Sequence, residues 1–241
     1  MSVSILSSEE IADLHICTQL SANPDVTLPP CNRLTPESRL ALTTTTFWDR
    51  NFTITVLLLG GSPHIQSKVQ QYALEWNNHS SVQLQFVDSG PATIRVSFAP
   101  GGSWSYIGLD NLTIGQDYPT MNFGWLTDSS SEADISSVVL HEFGHALGCV
   151  HEHQSPNANI QWNVPLLYQY YAQTNGWSPE MVDRNIIQQY PAFATAASEW
   201  DDRSIMLYAF PAFLTLNGVG TDFNTVLSEK DTLFIREIYP A

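Results

Sequence analysis

His141-Glu142-Phe143-Gly144-His145-Ala146-Leu147-Gly148-Cys149-Val150-His151-Glu152-His153 is the stretch on which the reading of this chain turns, and it holds four of the seven histidines. Residues four apart on a helix share a face, so His141 and His145 present their imidazoles to one point. Glu142, beside the first of them, can hydrogen-bond a water on a metal held there and act as its general base without being a ligand. Gly148 is free to take positive φ, which turns the chain after Leu147 and brings His151 round as a third nitrogen. Three neutral imidazoles leave one tetrahedral position open, the mark of a catalytic zinc site. Two cysteines and two histidines at finger spacing, which would close the site, are absent. His153 is read as lying behind the ligands or on the surface, with a ligand role in place of His151 as the alternative.

Upstream, Phe52 to Leu59 is β-branched and apolar, which predicts a strand buried on both faces and ended by Gly60-Gly61. Ser62 as N-cap and Pro63 at the first helical position open a helix with Ile65, Val69, Tyr72, Ala73 and Trp76 on one stripe. Residues 82–86 and 93–98 alternate as strands, and strand, helix, strand implies a right-handed crossover between parallel strands. A loop is expected at 101–106. Residues 120–126 read as a short strand, which Gly124 and its position mark as an edge, and its Asn122, Phe123, Gly124 and Trp125 would pair with an extended peptide. Ser129 and Glu132 read as a capping box opening the metal helix. Beyond His153 the pattern turns helical, at 164–171, from Ser178-Pro179-Glu180 onward, and from Ser228, with Asp231 three residues on, in a last helix that carries Leu233, Phe234 and Ile238.

At 241 residues and 43 % hydrophobic content the chain can bury one sizeable core. Nine basic against 24 acidic residues, a net charge of −15, disfavour nucleic acid and anionic membranes as partners. Cys17 and Cys31 can pair, leaving Cys149 beside the ligands, or all three can be free thiols. The opening residues lack a basic region followed by an apolar run, which predicts a cytoplasmic or unconventionally exported protein. Secretion with the signal missing from this sequence is the alternative, in which the sequons at Asn51, Asn78 and Asn111 would matter.

The expected fold class is α+β: a twisted mixed sheet with a backing helix and the active-site helix, above a mainly helical lower subdomain. The upper subdomain is placed at 43–151 and the lower at 152–241. Residues 1–42 are an arm or an inhibitory pro-segment, whose Cys17, Asp25 or Cys31 would occupy the open zinc position.

The histidine motif and Ser204-Ile205-Met206-Leu207-Tyr208 together resemble the metzincin clan of zinc endopeptidases, and within it the astacins most, as a divergent member. The resemblance implies a zincin-like fold and one catalytic Zn2+ held by His141, His145 and His151. It implies Met206 as an apolar floor beneath the imidazoles, and Tyr208 as a fifth ligand that swings to hold the oxyanion. In astacins the glutamate at the position of Glu152 engages the mature N-terminus. His153-Gln154-Ser155-Pro156 lacks the arginine and acidic residues that astacins usually show there, and the family's disulfide cysteines are missing. The implied activity is hydrolysis of peptide bonds in extended polypeptides by a monomer. The contrasting readings are a silent protein-binding module of the same fold and a zinc hydrolase of a non-peptide amide.

Overall fold

The computed structural model describes residues 46–191 and 199–241, and the backbone of 17–20, 42–43 and 195–196. The strands are β1 (Cys17–Leu20), β2 (Leu42–Thr43), β3 (Thr53–Leu58), β4 (Gln83–Val87), β5 (Ile94–Ser97), β6 (Ser103–Tyr106), β7 (Met121–Phe123) and β8 (Thr195–Ala196). The helices are α1 (Pro63–Ala73), α2 (Glu132–Ala146), α3 (Val164–Thr174), α4 (Pro179–Val182) and α5 (Glu229–Ile238). Six strands form one mixed sheet in the order β1-β6-β7-β5-β3-β4, parallel except for the antiparallel β6–β7 pair, while β2 and β8 pair separately. The fold is α+β, as the element pattern predicts. Among the described residues no helix is long and apolar enough to cross a membrane.

Ser62 caps α1 by accepting the Ile65 amide, with Pro63 at the first helical position. Ile65, Val69, Ala73 and Trp76 are buried, whereas Tyr72 is half-buried. They meet Val139 and Phe143 of α2 and Ile54 and Val56 of β3 in the main core. Each such buried aliphatic side chain contributes about 1.5–3 kcal/mol. The run at 52–59 is fully buried on one face only, and Leu59 is exposed, because both helices pack on the Ile54 and Val56 side.

Three predicted details are corrected. The N-cap of α2 is Ser131, which accepts from the Asp134 amide, and Glu132 instead turns to Lys68 and Tyr72 on α1. Residues 103–106 are strand β6 rather than loop. The strand at 121–123 is not an edge: β5 and β6 flank it on both sides, so its main chain has no ladder to offer a peptide. The small residue that suggested an edge, Gly124, serves close packing, since a Cβ there would lie 2.6 Å from the Ala99 carbonyl oxygen. Asn122 donates to the carbonyls of Ala99 and Gly102, binding the β5–β6 connection to the strand.

A second core gathers Leu167, Tyr170, Tyr171, Val182 and Ile186 from α3 and the 179–187 segment. Residues 183–187 continue α4 as a single π-helical turn. The C-terminal helix α5, though late in the chain, sends Phe234 and Ile235 into the main core and leaves Leu233 exposed. The segment 204–208 joins the two cores, with Ile205 and Met206 in the first and Leu207 and Tyr208 in the second.

Candidate metal centre

Helix α2 is buried from Val138 to its end, so both of its histidines sit in a dry environment. It stops through a Schellman motif: the Gly148 amide donates to His145 O at 2.8 Å and the Cys149 amide to Gly144 O at 2.9 Å. That geometry needs positive φ at the residue after the cap, and Gly148 has φ of 106°. The reversal carries His151 back against the helix. Ring centroids lie 4.8 Å apart for His141 and His145, 4.7 Å for His145 and His151, and 5.3 Å for His141 and His151.

The hydrogen bonds decide which nitrogen of each ring bears its proton. His141 Nδ1 lies 2.7 Å from Ile205 O, His145 Nδ1 2.7 Å from Cys149 O, and His151 Nδ1 3.2 Å from the Gln154 side-chain oxygen. Each of these oxygens only accepts, so each Nδ1 carries the hydrogen and each Nε2 a lone pair. Burial pushes the three imidazoles down, His141 to about 4 and the other two well below the usual histidine value, so all are neutral at pH 7.

Two lone pairs face each other where His145 Nε2 and His151 Nε2 stand 3.2 Å apart, and His141 Nε2 has no hydrogen-bond partner although it is buried. Such an arrangement repels unless a cation sits among the rings. Three nitrogens at about 2.0–2.1 Å around a tetrahedral zinc would be about 3.3 Å apart, close to this spacing. The ligand atoms of the three residues all lie within 4.8 Å of one another, and no other group of three or more candidate ligands occurs among the described residues. The donor set fits a zinc ion.

Glu142 follows His141 on α2 and is completely buried. Gly144 admits the Met206 side chain, since an added Cβ would overlap its sulfur and approach its Cε to 3.3 Å. Met206 thus lies directly under the helix that carries two of the histidines. Tyr208 packs its ring 4.4 Å from His151 and 5.7 Å from His141. His153 is not among the converging ligands; its Nε2 donates to Asn185 O at 3.0 Å, and its ring stacks on His151 and lies tilted against Tyr208.

Glu152 and Asp231 tie the 201–208 segment down. The Glu152 amide donates to Met206 O, and its side chain accepts from the Asp201 amide at 3.0 Å. Burial raises the Glu152 carboxyl to about 8. Asp231 accepts from Ser204 Oγ at 2.8 Å and from the Ile205 and Ser228 amides at 2.9 Å each. The backbone of the single residue Ile205, through its amide to Asp231 and its carbonyl to His141, therefore connects helix α5 to the first ligand. Sequence reasoning named Asp231 only as a helix-opening residue and left Gln154 without a role. The one available signal for Gln154 was its position three residues after His151.

Comparisons with known proteins agree with this geometry. The family model described as Astacin (Peptidase family M12A) matches residues 41–236. A solved structure of myroilysin is 46 % identical with a TM-score of 0.82, covering 83 % of this chain and 98 % of that one. A second myroilysin crystal structure is 39 % identical with a TM-score of 0.68, covering 96 % and 93 %. High choriolytic enzyme 1, a hatching enzyme zinc-protease from the medaka fish Oryzias latipes, has a TM-score of 0.55 over 84 % of this chain and 98 % of its own, and at 14 % identity shows the fold alone. The zinc metalloproteinase nas-38 of Caenorhabditis elegans is 30 % identical over 93 residues, which is 38 % of this chain but only 11 % of that protein.

Proposed function

Because this chain belongs to the astacin family, peptidase family M12A, we propose that it is a zinc-dependent endopeptidase that hydrolyses peptide bonds of extended polypeptides. The observation that carries the reading is the triad His141, His145 and His151, neutral and aimed inward by its Nδ1 hydrogen bonds, with the buried carboxylate of Glu142 next to the first ligand. A bound zinc ion supplies Lewis acidity to a water molecule and to the scissile carbonyl. The carboxylate of Glu142 takes the proton of the attacking water and returns it to the leaving amine, so one residue serves as base and then acid. The Tyr208 hydroxyl donates to the carbonyl oxygen as negative charge grows there. The dry surroundings of the site strengthen both interactions.

An extended peptide substrate is supported by strand β6, whose side away from β7 is a ladder edge at the end of the five strands 53–123. In this structure β1 takes that edge, with Cys17 opposite Ser103 and Leu20 opposite Tyr106 in parallel register. That pairing favours a second element of the proposal: residues 1–42 are a pro-segment that occupies the substrate edge. Whether Cys17, Asp25 or Cys31 reaches the metal concerns side chains outside the described residues.

The deciding experiment incubates the protein with denatured casein, with and without a zinc chelator, beside Glu142→Ala. Cleavage should be abolished by the chelator and fall by about 10²- to 10⁴-fold in the variant, which should keep its zinc. Cleavage unaffected by either sinks the mechanism, and casein left intact by zinc-loaded protein both with and without residues 1–42 points to a silent binding module or an amidase of another substrate class.

A further inference from the structure

Gln154 is 2 % exposed, and its side-chain amide is held at both ends. The nitrogen donates to Arg184 O at 2.8 Å and to Gln188 O at 3.0 Å. Both partners are carbonyls that can only accept, so the amide cannot be turned over, and its oxygen must face His151 Nδ1. An oxygen there can only accept, which makes His151 Nδ1 the protonated nitrogen and directs the Nε2 lone pair at His145.

The two carbonyls belong to a compact anchor. Residues 183–187 form the π-helical turn, and the Gln188 amide closes back on Asp183 O at 2.7 Å. The same strap accepts His153 Nε2 at Asn185 O and donates the Tyr190 amide to Gln154 O at 2.9 Å. It therefore grips both residues that follow Glu152. π-Helical turns distort a helix at some cost and recur where a particular carbonyl must be presented. Here one of the carbonyls that orient Gln154, Arg184 O, lies in the turn, and the other, Gln188 O, comes just after it.

We propose that Gln154 is a positioning residue for His151: its side-chain oxygen fixes the tautomer and aim of the third ligand, and the 183–190 strap only decides which end of the amide faces the ring. The inference rests on the zinc reading of the triad. An amide is the side chain that meets both demands at this position. A carboxylate of the same shape would still accept from His151 but would set its second oxygen against two carbonyl oxygens, and an aliphatic chain would do neither. If Gln154 merely stitches the strap in place, its donor end is what counts; if it positions His151, its acceptor end counts.

Three variants separate these ends: Gln154→Met removes both, Gln154→Glu keeps only the acceptor, and Asn185→Ala loosens the π-turn by deleting its bond to Met181 O while leaving Gln154 intact. Zinc affinity is measured by competition with a chromogenic chelator, and ligand geometry by the visible absorption of the cobalt(II) form. Wild-type protein must first bind one zinc; failure at this step overturns the zinc reading itself. Gln154→Met should bind zinc about 10- to 100-fold more weakly with an altered cobalt spectrum, while Gln154→Glu and Asn185→Ala, though less stable to heat, stay within about threefold of wild type. Wild-type affinity in Gln154→Met, or an equal loss in all three variants, overturns the proposal. Should Gln154→Met fail to fold, Gln154→Glu decides alone: it lacks the same donors, and a loss of about tenfold or more in zinc affinity shows that the strap, not the acceptor, matters.

Discussion

Replacing Asp231 by Asn should make the protein more stable at pH 8 and leave it nearly unchanged at pH 4.5. Asp231 is buried and accepts three hydrogen bonds, yet burial outweighs them and raises its carboxyl from 3.8 to about 6. A carboxyl whose folded value is raised favours the native state in its protonated form. Its contribution is complete below about pH 4 and is lost as the pH rises through 6. The difference of roughly 2 units corresponds to about 3 kcal/mol at 1.36 kcal/mol per unit. Asparagine has the shape of the protonated acid and does not titrate. Its oxygen can take the Ile205 and Ser228 amides while its nitrogen donates to Ser204 Oγ, which then loses an acceptor for its own hydrogen at a cost of about 1 kcal/mol. The net gain at pH 8 is about 2 kcal/mol, or about 4–8 °C in melting temperature for a chain of this size. Urea unfolding of both proteins across pH 4.5–8.5, with zinc in the same excess so that its linkage cancels, reads the difference directly. A gap independent of pH, or an Asn variant less stable than wild type at pH 8, would refute the argument.

Other perturbations test the remaining parts of the site. Gly148→Ala puts a side chain at φ of 106° and should cost about 1–3 kcal/mol while pulling the Cys149 carbonyl away from His145 Nδ1, seen as faster zinc release in a chelator chase. Tyr208→Phe removes a hydroxyl but keeps the packing on His151; kcat on a peptide should fall about 10²- to 10³-fold with zinc content and KM near wild type, and an unchanged kcat removes the residue from the reaction. Deleting residues 1–42 should free the β6 edge and raise activity on casein, and no gain would return that segment to the status of a structural arm.

What was legible in the sequence is what short-range geometry decides. The i, i+4 pair His141 and His145, the Gly148 turn and His151 all lie within one helix and its cap, where spacing alone gives direction. The strand at 53–58 and the helix after it were likewise marked by local composition and by Ser62-Pro63. The misplaced edge strand shows where this stops. Both 103–106 and 121–123 are short, and which of them lies outermost depends on the antiparallel insertion of β6 beside β7, a long-range pairing with no signature in either segment. The chosen cue, Gly124, answers a packing demand from the Ala99 and Gly101 carbonyls that no spacing encodes.

The same limit divides the three ligands. His145 is oriented by Cys149 O, four residues away and fixed by the helix cap, so any sequence that makes this cap also makes this hydrogen bond. His151 is oriented by Gln154, three residues away, whose amide Arg184 and Gln188 turn so that its oxygen faces the ring. His141 depends on the carbonyl of Ile205, 64 residues on, and every residue type has such a carbonyl. That dependence was therefore invisible in residue identities, and what betrays it is the company the carbonyl keeps: Ser204 and Met206 on either side, and an aspartate from the first turn of α5 gripping the Ile205 amide. The segment 204–208 then does more than floor the site. It is where the two cores meet, so a shift of one core against the other acts on His141 through Ile205 and on His151 through Tyr208.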